Sequence, residues 1–195
     1  MGRTMIDLLQ ITPVLDTATL REIRDELRLA NGHPATVLSQ QPQGMLAPRV
    51  RKATRVSVSP ETRERITRHL LERKTEIEEH FELSLTECEE PQFLRYETGD
   101  FFVPHQDGNT PLIYDETRFR KVSVVIFLSE QFEHPMPEGF CGGSLVLHGR
   151  VGQSEPPLTV APAPGMLMAF PAETTHEVLP ITHGERLSIV SWYRG

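Results

Sequence analysis

Beyond Gln92 the chain gives up helical spacing for short apolar runs separated by Gly and Pro, a pattern that few folds accommodate. Runs of strand length cover Phe93 to Tyr96, Phe101 to Asp107, Lys121 to Leu128, Ser144 to Leu147, Leu158 to Val160, Gly165 to Phe170 and Arg186 to Tyr193. The stretch Val122-Ser123-Val124-Val125-Ile126-Phe127 is apolar at all but one position, as befits a buried strand. No helical pattern lies between these runs, so the strands must cover one another. That predicts a sandwich or barrel of the jelly-roll type.

The first third of the chain reads differently. Asp16 caps a helix running to about Ala30, with Leu20, Ile23 and Leu27 on one face and Asn31-Gly32 closing it. Ser59-Pro60-Glu61 opens a second helix, which carries Ile66, Leu70, Ile77 and Phe81 at helical spacing. Its charged residues form a solvated face. Between the helices, Gly32 to Arg55 is broken by His33-Pro34, Gln41-Pro42 and Ala47-Pro48, and reads as loops or a short irregular strand. At 195 residues the simplest organisation is a single domain. The expected class is mainly β with N-terminal helices (α+β): a mainly helical part over 1–91 buttresses a double-stranded β-helix (jelly roll, cupin-like) over 92–195.

Charge and cysteine content narrow the function classes. A formal net charge of −7 speaks against a nucleic-acid partner, whose phosphates call for a basic face. Two cysteines, Cys88 and Cys141, imply no disulfide framework and suit a reducing compartment. Asp7 and Asp16 interrupt the N-terminal region, so no signal peptide is read there, and Ile6 stands where myristoylation needs Ser or Thr. No run is long enough to span a bilayer. The expectation is a soluble, cytoplasmic protein.

Two groups of residues carry chemistry. In an extended strand His105 and Asp107 point to the same face, so an imidazole and a carboxylate converge. His176 is the best-placed third ligand, and two histidines with one carboxylate form the facial triad of non-haem Fe(II) oxygenases. On the last strand Arg186 and Ser188 share a face that Val190 and Trp192 continue. The ten residues from His176 to Arg186 are enough for a strand end, a turn at Thr182-His183-Gly184 and a return. A buried guanidinium needs an anion, which is either an internal carboxylate or the carboxylate of a ligand. His69 and His80, on the second helix, read as surface or packing residues, and His134, His148 and His183 lack the spacing of ligands.

These elements together resemble a known family. The chain carries Arg95-Tyr96-x-x-Gly99-x-x-Phe102-x-x-His105-x-Asp107, then Arg120-x-x-Ser123, Gly142-Gly143-Ser144-Leu145 and Pro162-x-x-Gly165. His176-Glu177-Val178-x-Pro180 follows, leading to Arg186 and Trp192-Tyr193. In that order they resemble the 2-oxoglutarate- and Fe(II)-dependent dioxygenases, and within them the prolyl 4-hydroxylase-like group, over about Phe93 to Tyr193.

The resemblance implies that His105, Asp107 and His176 bind iron, that Arg186 and Ser188 bind the distal carboxylate of 2-oxoglutarate, and that the Tyr96 hydroxyl assists. Fe(II), 2-oxoglutarate and O2, with ascorbate as a reductant, are the implied cofactors and cosubstrates. The implied reaction hydroxylates a C–H bond of a prolyl or other residue in a protein or peptide, releasing succinate and CO2. Phe102 stands where these enzymes often carry a tyrosine near the substrate. Phe127 stands where a second cosubstrate-binding tyrosine often lies, which leaves more of that binding to Arg186, Ser188 and Tyr96. Two alternatives stay open: a hydroxylase of a free amino acid or small metabolite, and a non-catalytic metal-binding cupin-like module. Nucleic-acid demethylation is disfavoured by the charge and by Trp192, which occupies the position of a second arginine. The segments 108–120 and 129–140 are long for hairpin connections and are expected to flank the pocket mouth.

Overall fold

The computed structural model describes residues 6–37, 45–108, 116–150 and 156–195. In chain order, β1 (Leu9–Ile11) precedes α1 (Thr17–Leu29), and the short strands β2 (Gly32–Pro34), β3 (Arg51–Lys52) and β4 (Thr54–Val56) follow. Then α2 (Pro60–Phe81) leads into β5 (Gln92–Tyr96), β6 (Phe101–His105) and β7 (Arg120–Phe127). Next come β8 (Phe140–Gly142), β9 (Leu145–Gly149), β10 (Leu158–Thr159) and β11 (Leu167–Pro171). The chain finishes with β12 (Thr175–Val178), β13 (Ile181–Gly184) and β14 (Arg186–Arg194).

A seven-stranded sheet runs β1-β11-β7-β14-β5-β4-β2, a five-stranded sheet runs β10-β9-β12-β6-β3, and β13 with β8 forms a separate ribbon. The pleat of β7 divides the core in two. Val122, Val124 and Ile126 face the helices, packing with Phe93, Leu187, Ile189, Tyr193 and with Ile23, Leu27, Ile66, Leu70 and Ile77. Val125 and Phe127 face the other way, into a cluster that joins Leu94, Tyr96, Met168 and Phe170 to Leu145, Leu147 and Val178 of the smaller sheet. The layers are therefore helices, large sheet, small sheet, with the helices on an outer face as expected.

Local chemistry fixes both helix starts. Asp16 accepts from the backbone N–H groups of Ala18 and Thr19 at 2.9 Å, and Ser59 caps α2 with Pro60 in its first turn. Glu26 of α1 reaches across to accept from Ser59 N and Thr62 Oγ1, locking the two helices together. Leu27 and Ile66 are completely buried beneath the large sheet. Leu27→Ala or Ile66→Ala is expected to cost about 2–5 kcal/mol, read as a lowered midpoint of denaturant unfolding at unchanged slope.

Three expectations are corrected. The stretch from Gly32 to Arg55, read as loops or a short irregular strand, leads through β2, β3 and β4, three short strands that extend both sheets. Strands of two or three residues are too short to display a period; β3 gains its geometry from β6, β4 from β5, and β2 from β4. Thr182-His183-Gly184 is not a turn but the body of β13, paired with β8. Gly184 is needed there for its left-handed φ of 75°, and a Cβ on it would lie 2.2 Å from the Gly139 carbonyl oxygen. Finally, β6 stops at His105 rather than running on to Asp107.

Candidate active site

In the smaller sheet β6 and β12 are neighbours, and their register sets His105 directly opposite His176. Just past the end of β6 the Asp107 N–H donates at 3.0 Å to the carbonyl of Ala172, in the link between β11 and β12. Convergence of His105 and Asp107 thus comes from a strand end and a turn, not from the pleat of one continuous strand. The Nε2 atom of His105 lies 3.6 Å from Asp107 Oδ1, and that of His176 lies 3.5 Å from Oδ2. One ligand atom from each of the three residues falls within 4.8 Å of the others.

Both imidazoles are aimed from behind. Nδ1 of His105 faces the Val103 carbonyl and Nδ1 of His176 the Thr174 carbonyl, each at 2.9 Å. A carbonyl only accepts, so each Nδ1 carries the proton and each Nε2 lone pair points into the gap. Phe102 stacks on His105 with centroids 3.5 Å apart, and Phe170 meets His176 edge-on at 4.9 Å, so neither ring is free to turn. Ser123 Oγ donates to Asp107 Oδ2 at 2.7 Å.

Burial first, then the neighbouring His176, lowers the His105 pKa, which favours the neutral ring. For Asp107 burial opposes ionisation, but the two histidines, Trp192 and Ser123 outweigh it and hold the carboxyl below the usual carboxylate range. Trp192 contributes by proximity, since its buried Nε1 makes no hydrogen bond of ordinary geometry. A neutral imidazole, a second one presenting its Nε2, and a carboxylate make a donor set suited to a divalent first-row metal.

The second constellation lies on the large sheet. Arg186 is opposite Tyr96, and Ser188 is opposite Leu94 on one side and Phe127 on the other. Arg186 is only 3% exposed, and its Nη1 donates to Ser188 Oγ at 3.1 Å. Its guanidinium lies 5.3 Å from the Tyr96 ring centroid and 5.5 Å from that of Phe127. Burial lowers the Arg186 pKa, and no carboxylate among the described residues counters it. Its Nε is buried without a hydrogen-bond partner. The internal salt bridge that the sequence left open is therefore not formed among the described residues. An orphaned buried cation of this kind fits a ligand carboxylate.

Both constellations open into one cavity of about 700 Å³, lined by His105, Asp107, His176, Tyr96, Arg186 and Ser188. The described residues that line it include none from 129–140. Gln131 in that segment instead donates to the Gly142 carbonyl and to Ser144 Oγ, both at 2.7 Å. In the other segment, 109–115 lie outside the described residues, while Arg120 reaches the cavity. Arg120 pairs with Glu89 at 2.6 Å and sits 3.7 Å from the Trp192 ring centroid. Sequence reasoning missed Arg51, Arg55 and Gln92, which also line the cavity. Only the parity of β4 and β5 against the large sheet could have signalled the last two.

Known proteins share this fold. A Pseudomonas putida prolyl-4-hydroxylase is 24% identical and matches 97% of this chain and 92% of its own, with a TM-score of 0.71. A Trichoplax adhaerens prolyl hydroxylase, in complex with a hypoxia inducible factor oxygen degradation domain peptide fragment, is 16% identical over 96% of this chain and 83% of its own, with a TM-score of 0.70. At these identities the likeness is one of fold, the jelly roll of the oxygenases. Among curated relatives, a PKHD-type hydroxylase of Burkholderia ambifaria (strain MC40-6) is 35% identical over 103 residues and one of Shewanella sp. (strain MR-7) 32% over 102. Each match takes in 52% of this chain but only 41% of the relative's length. The family model of the 2OG-Fe(II) oxygenase superfamily matches residues 91–194, a stretch that contains the whole His-Asp-His cluster and the buried arginine, and this chain belongs to that superfamily.

Proposed function

We propose that this chain is an Fe(II)- and 2-oxoglutarate-dependent dioxygenase that hydroxylates a C–H bond of a prolyl or other amino-acid residue in a protein or peptide. The observation that carries this reading is the buried Arg186, without a carboxylate partner among the described residues, in the same cavity as the His105–Asp107–His176 cluster. A module that only binds metal has no use for such a cation, whose burial is costly. The PKHD-type hydroxylases support the reaction class.

On this reading His105 and His176 bind Fe(II) through Nε2 and Asp107 through its carboxylate. Bound Fe(II), with 2-oxoglutarate and O2, supplies the oxidising power for hydroxylation, succinate and CO2 being the other products. Arg186 holds the distal carboxylate of the cosubstrate with its fork, assisted by Ser188 and the Tyr96 hydroxyl. Leu94, Phe127, Leu145 and Val178 keep that end dry, which strengthens the charge interaction. Ser123 fixes one Asp107 oxygen, and Phe102 and Phe170 hold the two imidazoles. Residues 92–195 are the catalytic core, and 1–91 are part of the same domain, because β1, β2, β3 and β4 complete its sheets.

Purified protein given Fe(II), ascorbate and 2-oxoglutarate should release succinate, faster when a peptide or amino acid in the mixture gains one oxygen by mass spectrometry. Absence of any 2-oxoglutarate binding to the Mn(II)-loaded protein would overturn the reading.

A further inference from the structure

One row of the large sheet links the arginine site to the sheet edge. The pairs Ser188–Leu94, Leu94–Arg55 and Arg55–His33 lie side by side in register, so these four side chains share the inward face. From the smaller sheet, Arg51 in β3 is opposite Phe102, and its guanidinium lies 4.8 Å from the ring that stacks on His105. Arg51 and Arg55 both line the cavity.

Among the described residues neither arginine meets a carboxylate. Arg51 donates from Nη1 to the Thr36 carbonyl at 3.0 Å, and its buried Nε has no partner. Arg55 makes no hydrogen bond or ion pair with a described residue. Half-buried, it is charged against Arg63 and Arg51, and burial first, then these two neighbours, lower its pKa. Arg63 has its own partner in Glu90. In a chain with 27 acidic and 20 basic residues, pairing is the rule elsewhere: Arg24, Arg28, Arg65, Arg120 and Arg194 all meet carboxylates. Two repelling cations that no described residue neutralises on one cavity work against folding, so their use lies in binding.

We propose that Arg51 and Arg55 form a second anion site, which receives a carboxylate of the substrate. This rests on the hydroxylase reading and deepens it: the substrate is a carboxylate-bearing amino-acid compound. The carboxylate comes from an Asp or Glu side chain beside the hydroxylated residue of a peptide, or from the α-carboxylate of a free amino acid. Arg55 stands two strands away from Ser188, roughly 10 Å along the sheet, which keeps this site distinct from the one at Arg186. Guanidinium forks suit the task because they bind carboxylates with two parallel hydrogen bonds.

The test selects ligands with protein loaded with Mn(II) and saturating 2-oxoglutarate, so that nothing turns over. Two capped peptide pools, randomised at one position, carry Glu in one pool and Gln in the other at the neighbouring position. A second pair of pools holds free L-amino acids and their amides. Retained molecules are counted by mass spectrometry. Acid should exceed amide about ten- to hundredfold in one of the two pairs, the worth of a hydrogen bond to a charged group, and the pair that responds identifies the source. Arg55→Gln and Arg51→Gln should each pull the ratio toward one, and Arg55→Lys should keep part of it, having the charge without the fork. Acid and amide retained equally in both pairs, or a preference untouched by either glutamine variant, overturns the proposal. Calorimetry of 2-oxoglutarate on the Mn(II)-loaded wild type separates the two failures. Binding there with no acid preference sinks the arginine site alone, while no binding sinks the hydroxylase reading beneath it.

Discussion

Asp107→Asn is expected to abolish iron-dependent turnover and to leave the fold standing. Asparagine has the shape of the carboxylate and still offers an oxygen to the Ser123 hydroxyl, which now donates to Asp107 at 2.7 Å. What it removes is the negative charge between two imidazole Nε2 atoms that stand 3.5 and 3.6 Å away. Replacing a residue that merely orients a metal ligand costs roughly 10–100-fold in affinity, so loss of a ligand should exceed about 100-fold. His105→Ala and His176→Ala should do the same, because each removes an Nε2 whose lone pair is fixed by a backbone carbonyl behind it. The measurement is the weak visible charge-transfer band of Fe(II) with 2-oxoglutarate under anaerobic conditions, present in wild type and absent in all three. Circular dichroism and the melting temperature report the fold. A band of unchanged strength in His176→Ala would remove that residue from the ligand set.

What could be read from the sequence was what neighbouring residues decide among themselves. Asp16 and Ser59-Pro60 mark helix starts because capping is a contact within one turn. Arg186 and Ser188 share an inward face because parity along one strand needs no partner. The pairing of His105 with His176 was out of reach, since it is a register between β6 and β12. The four residues of β12 are too few to announce a strand, and their buried positions include a histidine. Arg51 and Arg55 were hidden more deeply. Their strands take shape only by adding to β6 and β5, so proline-broken sequence around them reads as loop. Gly184 misled in the opposite direction: its positive φ serves a close approach to Gly139, not a turn.

Arg186→Met should separate a cosubstrate clamp from a structural arginine, because the two roles predict opposite effects on the ligand-free protein. If Arg186 held the fold through a salt bridge, removing it would strand a buried carboxylate and cost about 3–5 kcal/mol. No such carboxylate stands beside it among the described residues; its contacts are Ser188 Oγ and the faces of Tyr96 and Phe127. An apolar side chain of similar length in that setting should leave the melting temperature of the ligand-free protein unchanged or raise it. The cosubstrate tells the other half. Truncating one partner of a buried charge pair costs roughly 2–5 kcal/mol, a factor on the order of thirty to several thousand in affinity. Calorimetry on the Mn(II)-loaded protein should show that loss for 2-oxoglutarate, with Mn(II) affinity little changed. Arg186→Lys should recover part of it, and Ser188→Ala should cost only about 1 kcal/mol, as one neutral hydrogen bond. Wild type should also gain about 2.7 kcal/mol of stability from 2-oxoglutarate at a hundred times its Kd, and Arg186→Met at that concentration should gain almost none. Equal 2-oxoglutarate affinity in wild type and variant, with a lowered melting temperature in the variant, would make the arginine structural and put the clamp elsewhere.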